Sequence, residues 1–136
     1  MKIWTVEEAN QALPRFREIL AILVEQNQRA DLARCALQEL QERIQGDGAG
    51  MEREVEYRRA RLKEATTQLR RGVEQLARMG CQVKDLERGL LDFPALRDGR
   101  QVLLCWQLGE PDVRYWHEMD QGFATRQPIL SDQQAE

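Results

Sequence analysis

The chain has 136 residues, of which 42% are hydrophobic and 32% are charged, and its formal net charge is −3. These values are typical of a single folded domain spanning 1–136 and exclude a disordered chain. No stretch approaches the ~20 uncharged apolar residues of a membrane span, and the start lacks the pattern of a secretion signal, so we expect a cytoplasmic protein. Three cysteines without CxxC spacing argue against a disulfide framework.

The N-terminal third of the chain predicts a long helix over 5–45. Thr5 and Glu8 have the spacing of a capping box, which marks a helix start. Pro14 lacks a backbone donor and crowds the preceding turn, so we expect a kink or a short break close to it. Apolar residues cover more than half of the circumference at the helix base, which indicates burial on more than one side. The covering layer is either the C-terminal segment or a second copy of the chain.

A second helix is predicted over 51–79, after a loop at 46–50 that contains three glycines. Its apolar and small residues recur at alternating spacings of four and three, a heptad seam with Arg58 as its one polar interruption. So narrow a seam contacts one partner, and we expect the first helix to be that partner, antiparallel across the loop. The mixed charges on this helix favour a solvated surface over a nucleic-acid interface.

After Gly80 the pattern changes to short apolar runs separated by turn residues, which predicts a small antiparallel sheet over 80–130. A two-residue turn at Asp98-Gly99 would place Phe93 opposite Leu104. The fold class is therefore α+β, a long coiled-coil-like helical hairpin with a small C-terminal antiparallel sheet. Residues 131–136 are expected to form a loose tail.

The register of the last strand depends on the turn at 109–112. If this turn takes four residues, Leu104 lies opposite His117 and Trp106 opposite Tyr115, on the face predicted to form the core. Trp116 then lies on the other face, where it is either a binding surface or covered by the segment containing Phe123. A slip of one residue would exchange Trp116 and His117.

A metal site built from the cysteines and the single histidine is not supported by spacing. Metal ligands usually come in pairs held close by a turn or a helix, and Cys81, Cys105 and His117 form no such pair. In the predicted register Cys105 and His117 also lie on opposite faces. We therefore assign no metal, no cofactor and no catalytic residue, and interpret His117 as packed in the core with its ring bonded to a backbone carbonyl.

Several short motifs resemble those of a bacterial and cyanobacterial family, domain of unknown function 2203. They are "TVEEANQALPRFREIL" at the start, followed by "VKD", "GLLDFP", "LCWQLGE", "WHE" and "GFATRQP". The resemblance implies a small cytoplasmic bacterial protein with a helical hairpin and a C-terminal signature region, and it brings no activity. Within the signature, the candidates for binding a ligand or partner are Asp92, Arg97, Glu110, Trp116, His117 and Arg126.

Two functions remain open from the sequence. The favoured one is a noncatalytic scaffold or adaptor, a homodimer that binds a protein partner through the sheet end and the apolar base of the first helix. The alternative is a small-molecule or metal-binding protein, or an enzyme, with a site near Glu110, His117 and Arg126.

Overall fold

The computed structural model describes residues 2–44 and 50–130. These form two long helices, a five-stranded sheet and one short 3-10 helix, which confirms the predicted α+β class. The elements in chain order are α1 (Val6–Arg43), α2 (Glu52–Arg78), β1 (Gln82–Asp85), β2 (Leu90–Arg97), β3 (Arg100–Gln107), β4 (Tyr115–Glu118), the 3-10 helix (Phe123–Thr125) and β5 (Gln127–Pro128). The predicted tail and nearly all of the predicted glycine loop lie outside the described residues.

The first helix begins as the capping box predicts. The Thr5 hydroxyl accepts the Glu8 amide at 3.1 Å, and the Thr5 amide donates to the Glu8 carboxylate at 3.0 Å. The helix then continues through Pro14 to Arg43 without a break. Pro14 removes only one backbone hydrogen bond, while Leu13 and Phe16 on either side of it are buried and hold the helix against the core. The predicted break at Pro14 is therefore wrong, and the predicted kink stays a prediction.

The second helix packs along the first through the predicted seam. Val55, Leu69 and Leu76 are its buried residues. Val55 packs with Leu37 and Leu40 near the far end of α1, as an antiparallel hairpin requires. Closer to the sheet the two helices approach tightly, because a Cβ atom added at Gly72 would lie only 2.3 Å from a methyl carbon of Leu23. The antiparallel pairing of the two helices is therefore confirmed.

The sheet covers the base of α1. Of the two covering layers that the sequence allowed, the C-terminal segment and a second copy of the chain, the structure shows the C-terminal segment. Its strands are antiparallel neighbours in the order β1-β2-β3-β4-β5, and Phe93 pairs with Leu104 as predicted. The inner face of the sheet shares one core with α1, and an aromatic cluster of Trp4, Phe16 and Phe93 lies within it, with ring centroids 5.4 to 5.8 Å apart. The helical hairpin therefore projects from a compact base made by the sheet.

The predicted register of β4 is wrong by one residue. Leu104 pairs with Trp116 instead of His117, and Cys105 pairs with Tyr115. The connection from β3 to β4 is longer than a four-residue turn because α1 holds it: the Val113 amide donates to the Asn10 side chain at 2.7 Å, and Arg17 donates to the Pro111 carbonyl at 3.2 Å. These bonds delay the start of β4 to Tyr115, so every side chain of β4 changes face.

The slip reverses the predictions for three aromatic residues. Trp116 is 6% exposed and belongs to the core cluster on the inner face, so it is neither an open binding surface nor covered by Phe123. Tyr115 and His117 lie instead on the outer face, which we define as the side of the sheet turned away from α1.

In the described part of the chain, no helix is long and apolar enough to cross a membrane.

Candidate functional site

Three side chains with metal-ligating atoms meet on the outer face of the sheet. Asp92 on β2 is the direct partner of Cys105 on β3, and His117 on β4 pairs with Leu103, two residues before Cys105. Side chains two residues apart on a strand lie on the same face. All three residues are buried, with exposed fractions of 2% for Asp92 and 1% for Cys105 and His117. The site thus spans three adjacent strands at the centre of the sheet.

The histidine ring is held by a hydrogen bond at each nitrogen. Nδ1 lies 2.8 Å from the backbone carbonyl of Glu118, and Nε2 lies 3.0 Å from Oδ2 of Asp92. A carbonyl oxygen can only accept, so Nδ1 carries a proton and donates it. In a neutral ring Nε2 then presents a lone pair to a carboxyl oxygen, and the two atoms need a cation between them. Either a proton or a metal ion can fill this role.

Burial shifts the pKa values of the other two groups. Desolvation raises the pKa of the Asp92 carboxyl, and electrostatic interactions with His117 and Lys84 only partly offset this rise. Desolvation and the neighbouring Asp92 carboxylate also raise the pKa of the Cys105 thiol to about 12. In the metal-free protein Cys105 is therefore a thiol, not a thiolate nucleophile. Since Asp92 and not Cys105 is bonded to the imidazole, the arrangement also differs from a cysteine–histidine catalytic pair.

The spacing of the three ligand atoms fits a single transition-metal ion. His117 Nε2, Cys105 Sγ and a carboxylate oxygen of Asp92 all lie within 4.8 Å of one another. Bonds of about 2.0 Å to nitrogen or oxygen and about 2.3 Å to sulfur place tetrahedral ligand atoms roughly 3.3 to 3.5 Å apart. His117 Nε2 and Asp92 Oδ2, at 3.0 Å, lie close to this separation, and no pair of ligand atoms in the cluster is more than 4.8 Å apart.

An ion pair lies beside this cluster. The Arg126 guanidinium donates to both carboxylate oxygens of Glu110, at 3.0 and 2.7 Å. The Glu110 carboxylate also accepts a hydrogen bond from the backbone N–H of Gln107 at 2.7 Å. Arg126 stacks on the rings of Tyr115 and Phe123, 4.0 and 4.1 Å from their centroids. It also lies within hydrogen-bonding reach of the Cys105 thiol. Arg126 therefore holds the C-terminal segment 119–130 against the outer face and places a fixed positive charge next to the sulfur.

The structure brings four of the six predicted site residues together. Asp92, Glu110, His117 and Arg126 belong to one connected set on the outer face. Arg97 and Trp116 lie on the inner face, where the guanidinium of Arg97 is 4.5 Å from the centroid of the Trp116 ring. These two residues are therefore separate from the outer-face cluster.

Sequence reasoning missed Cys105 and Tyr115 as members of the site. Cys105 links Asp92 to Arg126, and Tyr115 supports the Arg126 guanidinium. Both omissions follow from the register error, because the predicted pairing moved His117 and Tyr115 to the core face. Strand alternation places them correctly only once the length of the β3–β4 connection is known, and contacts with α1 fix that length.

Comparison with known proteins identifies a family and leaves the activity open. The sequence matches the family described as an uncharacterized conserved protein, DUF2203, over residues 2–129. No curated protein and no solved structure matches the chain.

Proposed function

The chain belongs to this DUF2203 family of uncharacterized conserved proteins, and we propose that it is a metal-binding protein that holds one Zn²⁺ ion between Asp92, Cys105 and His117. The observation that carries the proposal is the convergence of three different ligand types, all buried, within 4.8 Å. These groups already contact one another, and a shared cation would bind the same buried atoms in place of the proton between His117 and Asp92.

The orientation of His117 supports the same conclusion. A metal-bound histidine commonly donates its other ring N–H to a carbonyl or carboxylate, which fixes the tautomer and the ring plane. The Nδ1 bond to the Glu118 carbonyl is such a contact, and it directs the Nε2 lone pair toward Asp92 and Cys105. The ring would therefore bind a metal without turning.

The donor set favours zinc over other common ions. Mg²⁺ and Ca²⁺ take oxygen ligands, so a site with one sulfur and one imidazole nitrogen selects against them. Zn²⁺ accepts sulfur, nitrogen and carboxylate oxygen together in tetrahedral geometry. Three protein ligands leave a fourth position, as in zinc sites that bind water or a substrate atom. The Arg126 charge beside Cys105 favours the thiolate that zinc requires.

The adaptor function predicted from the sequence has less support, because one of its two predicted binding surfaces is buried. The apolar base of α1 is covered by the inner face of the sheet, with Leu13, Phe16 and Leu20 buried in the shared core. That surface is unavailable to a protein partner while the sheet is folded. The metal-binding alternative, by contrast, uses residues that the structure brings together.

Zinc stoichiometry tests the proposal directly. Protein purified without a histidine tag would be stripped with a chelator, dialysed against Zn²⁺ and measured by inductively coupled plasma mass spectrometry. We expect one zinc per chain. The Cys105→Ser and His117→Gln variants should each lose more than about 100-fold in zinc affinity, because each removes one ligand from a three-ligand site.

The matched control is Cys81→Ser, which changes a second buried thiol outside the site. Cys81 is 1% exposed and packs in the core next to Leu76, where its thiol donates to a backbone carbonyl at 3.5 Å. This variant should keep the zinc affinity of the parent protein, and circular dichroism would verify that all three variants fold. A parent protein that retains no zinc, or a Cys105→Ser variant that binds it as tightly as Cys81→Ser, would refute the proposal.

A further inference from the structure

A long groove runs along one side of the helical hairpin, away from the metal site. It consists of two adjoining cavities of about 470 and 390 Å³ that share Gln26 and Gln68. Together they extend from Ile19 to Ala33 on α1 and from Arg61 to Arg78 on α2. At 1.5 Å per residue the α1 side is about 21 Å long, the length of roughly four helical turns. We call this feature the hairpin groove.

The floor of the hairpin groove is apolar. Leu23 and Ala30 form part of it, and Leu62 and Ala65 contribute from α2. Ile22 lines its edge with 54% of its surface exposed, so an apolar side chain is accessible at the groove. A groove of this kind between two helices can receive the apolar stripe of a third helix.

The rim of the hairpin groove is mainly basic. Arg29, Arg61, Arg71 and Arg78 line it, and its two cavities have no aspartate or glutamate among the described residues that line them, although Glu64 lines an adjoining cavity that shares Arg61 with the groove. Arg29 is paired with Glu25 at 2.7 Å, whereas Arg71 and Arg78 form no ion pair within the described residues. This basic rim stands out in a chain whose net charge is −3.

We propose that the hairpin groove binds an amphipathic helix of another protein whose apolar stripe is flanked by aspartate and glutamate. The apolar floor would contact the apolar stripe, and the arginines would pair with the acidic flanks. The length of the groove matches a helix of about four turns. A second copy of this chain fits less well, since a two-fold interface would set the same arginines against each other. A nucleic acid would match the charge and leave the apolar floor without a partner.

Two synthetic peptides of about 20 residues test this assignment by fluorescence anisotropy. Both carry leucines at helical spacing, and they differ only in having glutamate or lysine on the flanks. We expect the glutamate peptide to bind and the lysine peptide to bind at least tenfold more weakly. The Arg71→Glu variant should weaken binding of the glutamate peptide by about tenfold, and Ile22→Asp should weaken it as well.

The matched control is Arg70→Glu, an identical charge change at the neighbouring exposed residue of α2, which does not line the groove. It should alter binding by less than about twofold. Equal losses for Arg70→Glu and Arg71→Glu would show nonspecific attraction and overturn the proposal. So would equal affinity for both peptides, displacement of the glutamate peptide by single-stranded DNA, or a dimer of the free protein that Arg71→Glu dissociates. None of these results depends on zinc, so this proposal and the metal site can fail separately.

Discussion

At the scale of single residues, the site depends on which of two adjacent side chains faces the core. Trp116 and His117 exchange faces when β4 moves by one position, and only the observed register brings His117 to Asp92. The exchange has a consequence for the indole. Trp116 Nε1 is buried without a hydrogen-bond partner among the described residues, whereas Trp106 Nε1 donates to the Glu110 carbonyl at 3.0 Å. Two buried tryptophans of the same sheet therefore differ in one hydrogen bond.

Replacing each of these tryptophans with phenylalanine should separate the two environments. Both changes remove similar volume, and both keep an aromatic ring under a neighbouring arginine. Trp106→Phe also leaves the Glu110 carbonyl without its donor, while Trp116→Phe removes an N–H that has no acceptor. We expect Trp106→Phe to lower the free energy of unfolding by about 1 kcal/mol more than Trp116→Phe in urea titrations. Equal losses, or a larger loss for Trp116→Phe, would contradict the assigned environments.

At the scale of elements, the two connections of β3 show what sequence can and cannot determine. Asp98 and Gly99 have φ angles of 52° and 78°, so both adopt the left-handed conformation of a two-residue hairpin turn. A two-residue turn fixes which residues of the two flanking strands pair, so the β2–β3 register was predicted correctly from the sequence of the turn. The β3–β4 connection is instead held by Asn10 and Arg17 on α1, about 100 residues earlier in the chain. No local pattern encodes such a contact, so the register of β4 could not be predicted.

The turn conformation predicts different effects for two glycine substitutions. Gly99→Ala places a side chain at a positive φ, with no other atom within 4 Å, so backbone strain is its sole penalty. We expect a loss of about 1 kcal/mol in the free energy of unfolding. Gly122→Ala is the control, because Gly122 has an ordinary φ of −149° and equally open surroundings. It should be neutral or slightly stabilising by thermal melts. A neutral Gly99→Ala would rule out the assigned turn.

At the scale of the whole molecule, the sheet separates two environments. Its inner face forms the core with α1, and its outer face holds a polar site beneath the C-terminal segment 119–130. The helical pattern, the capping box and the apolar alternation predicted the first environment. The second escaped prediction because the residues proposed as ligands, Asp92, Cys105 and His117, come from three different strands and show no spacing typical of a metal motif. A metal bound there would link β2, β3 and β4 across the centre of the sheet.

The most direct test of the proposed metal site is X-ray absorption spectroscopy at the zinc edge on the intact, zinc-loaded protein. The proposed ligands predict one sulfur neighbour at about 2.3 Å, with the remaining nitrogen and oxygen neighbours at about 2.0 to 2.1 Å. The sulfur contribution should disappear in Cys105→Ser and persist in Cys81→Ser. A zinc shell of nitrogen and oxygen alone in the parent protein would contradict the assignment of Asp92, Cys105 and His117 as the ligands.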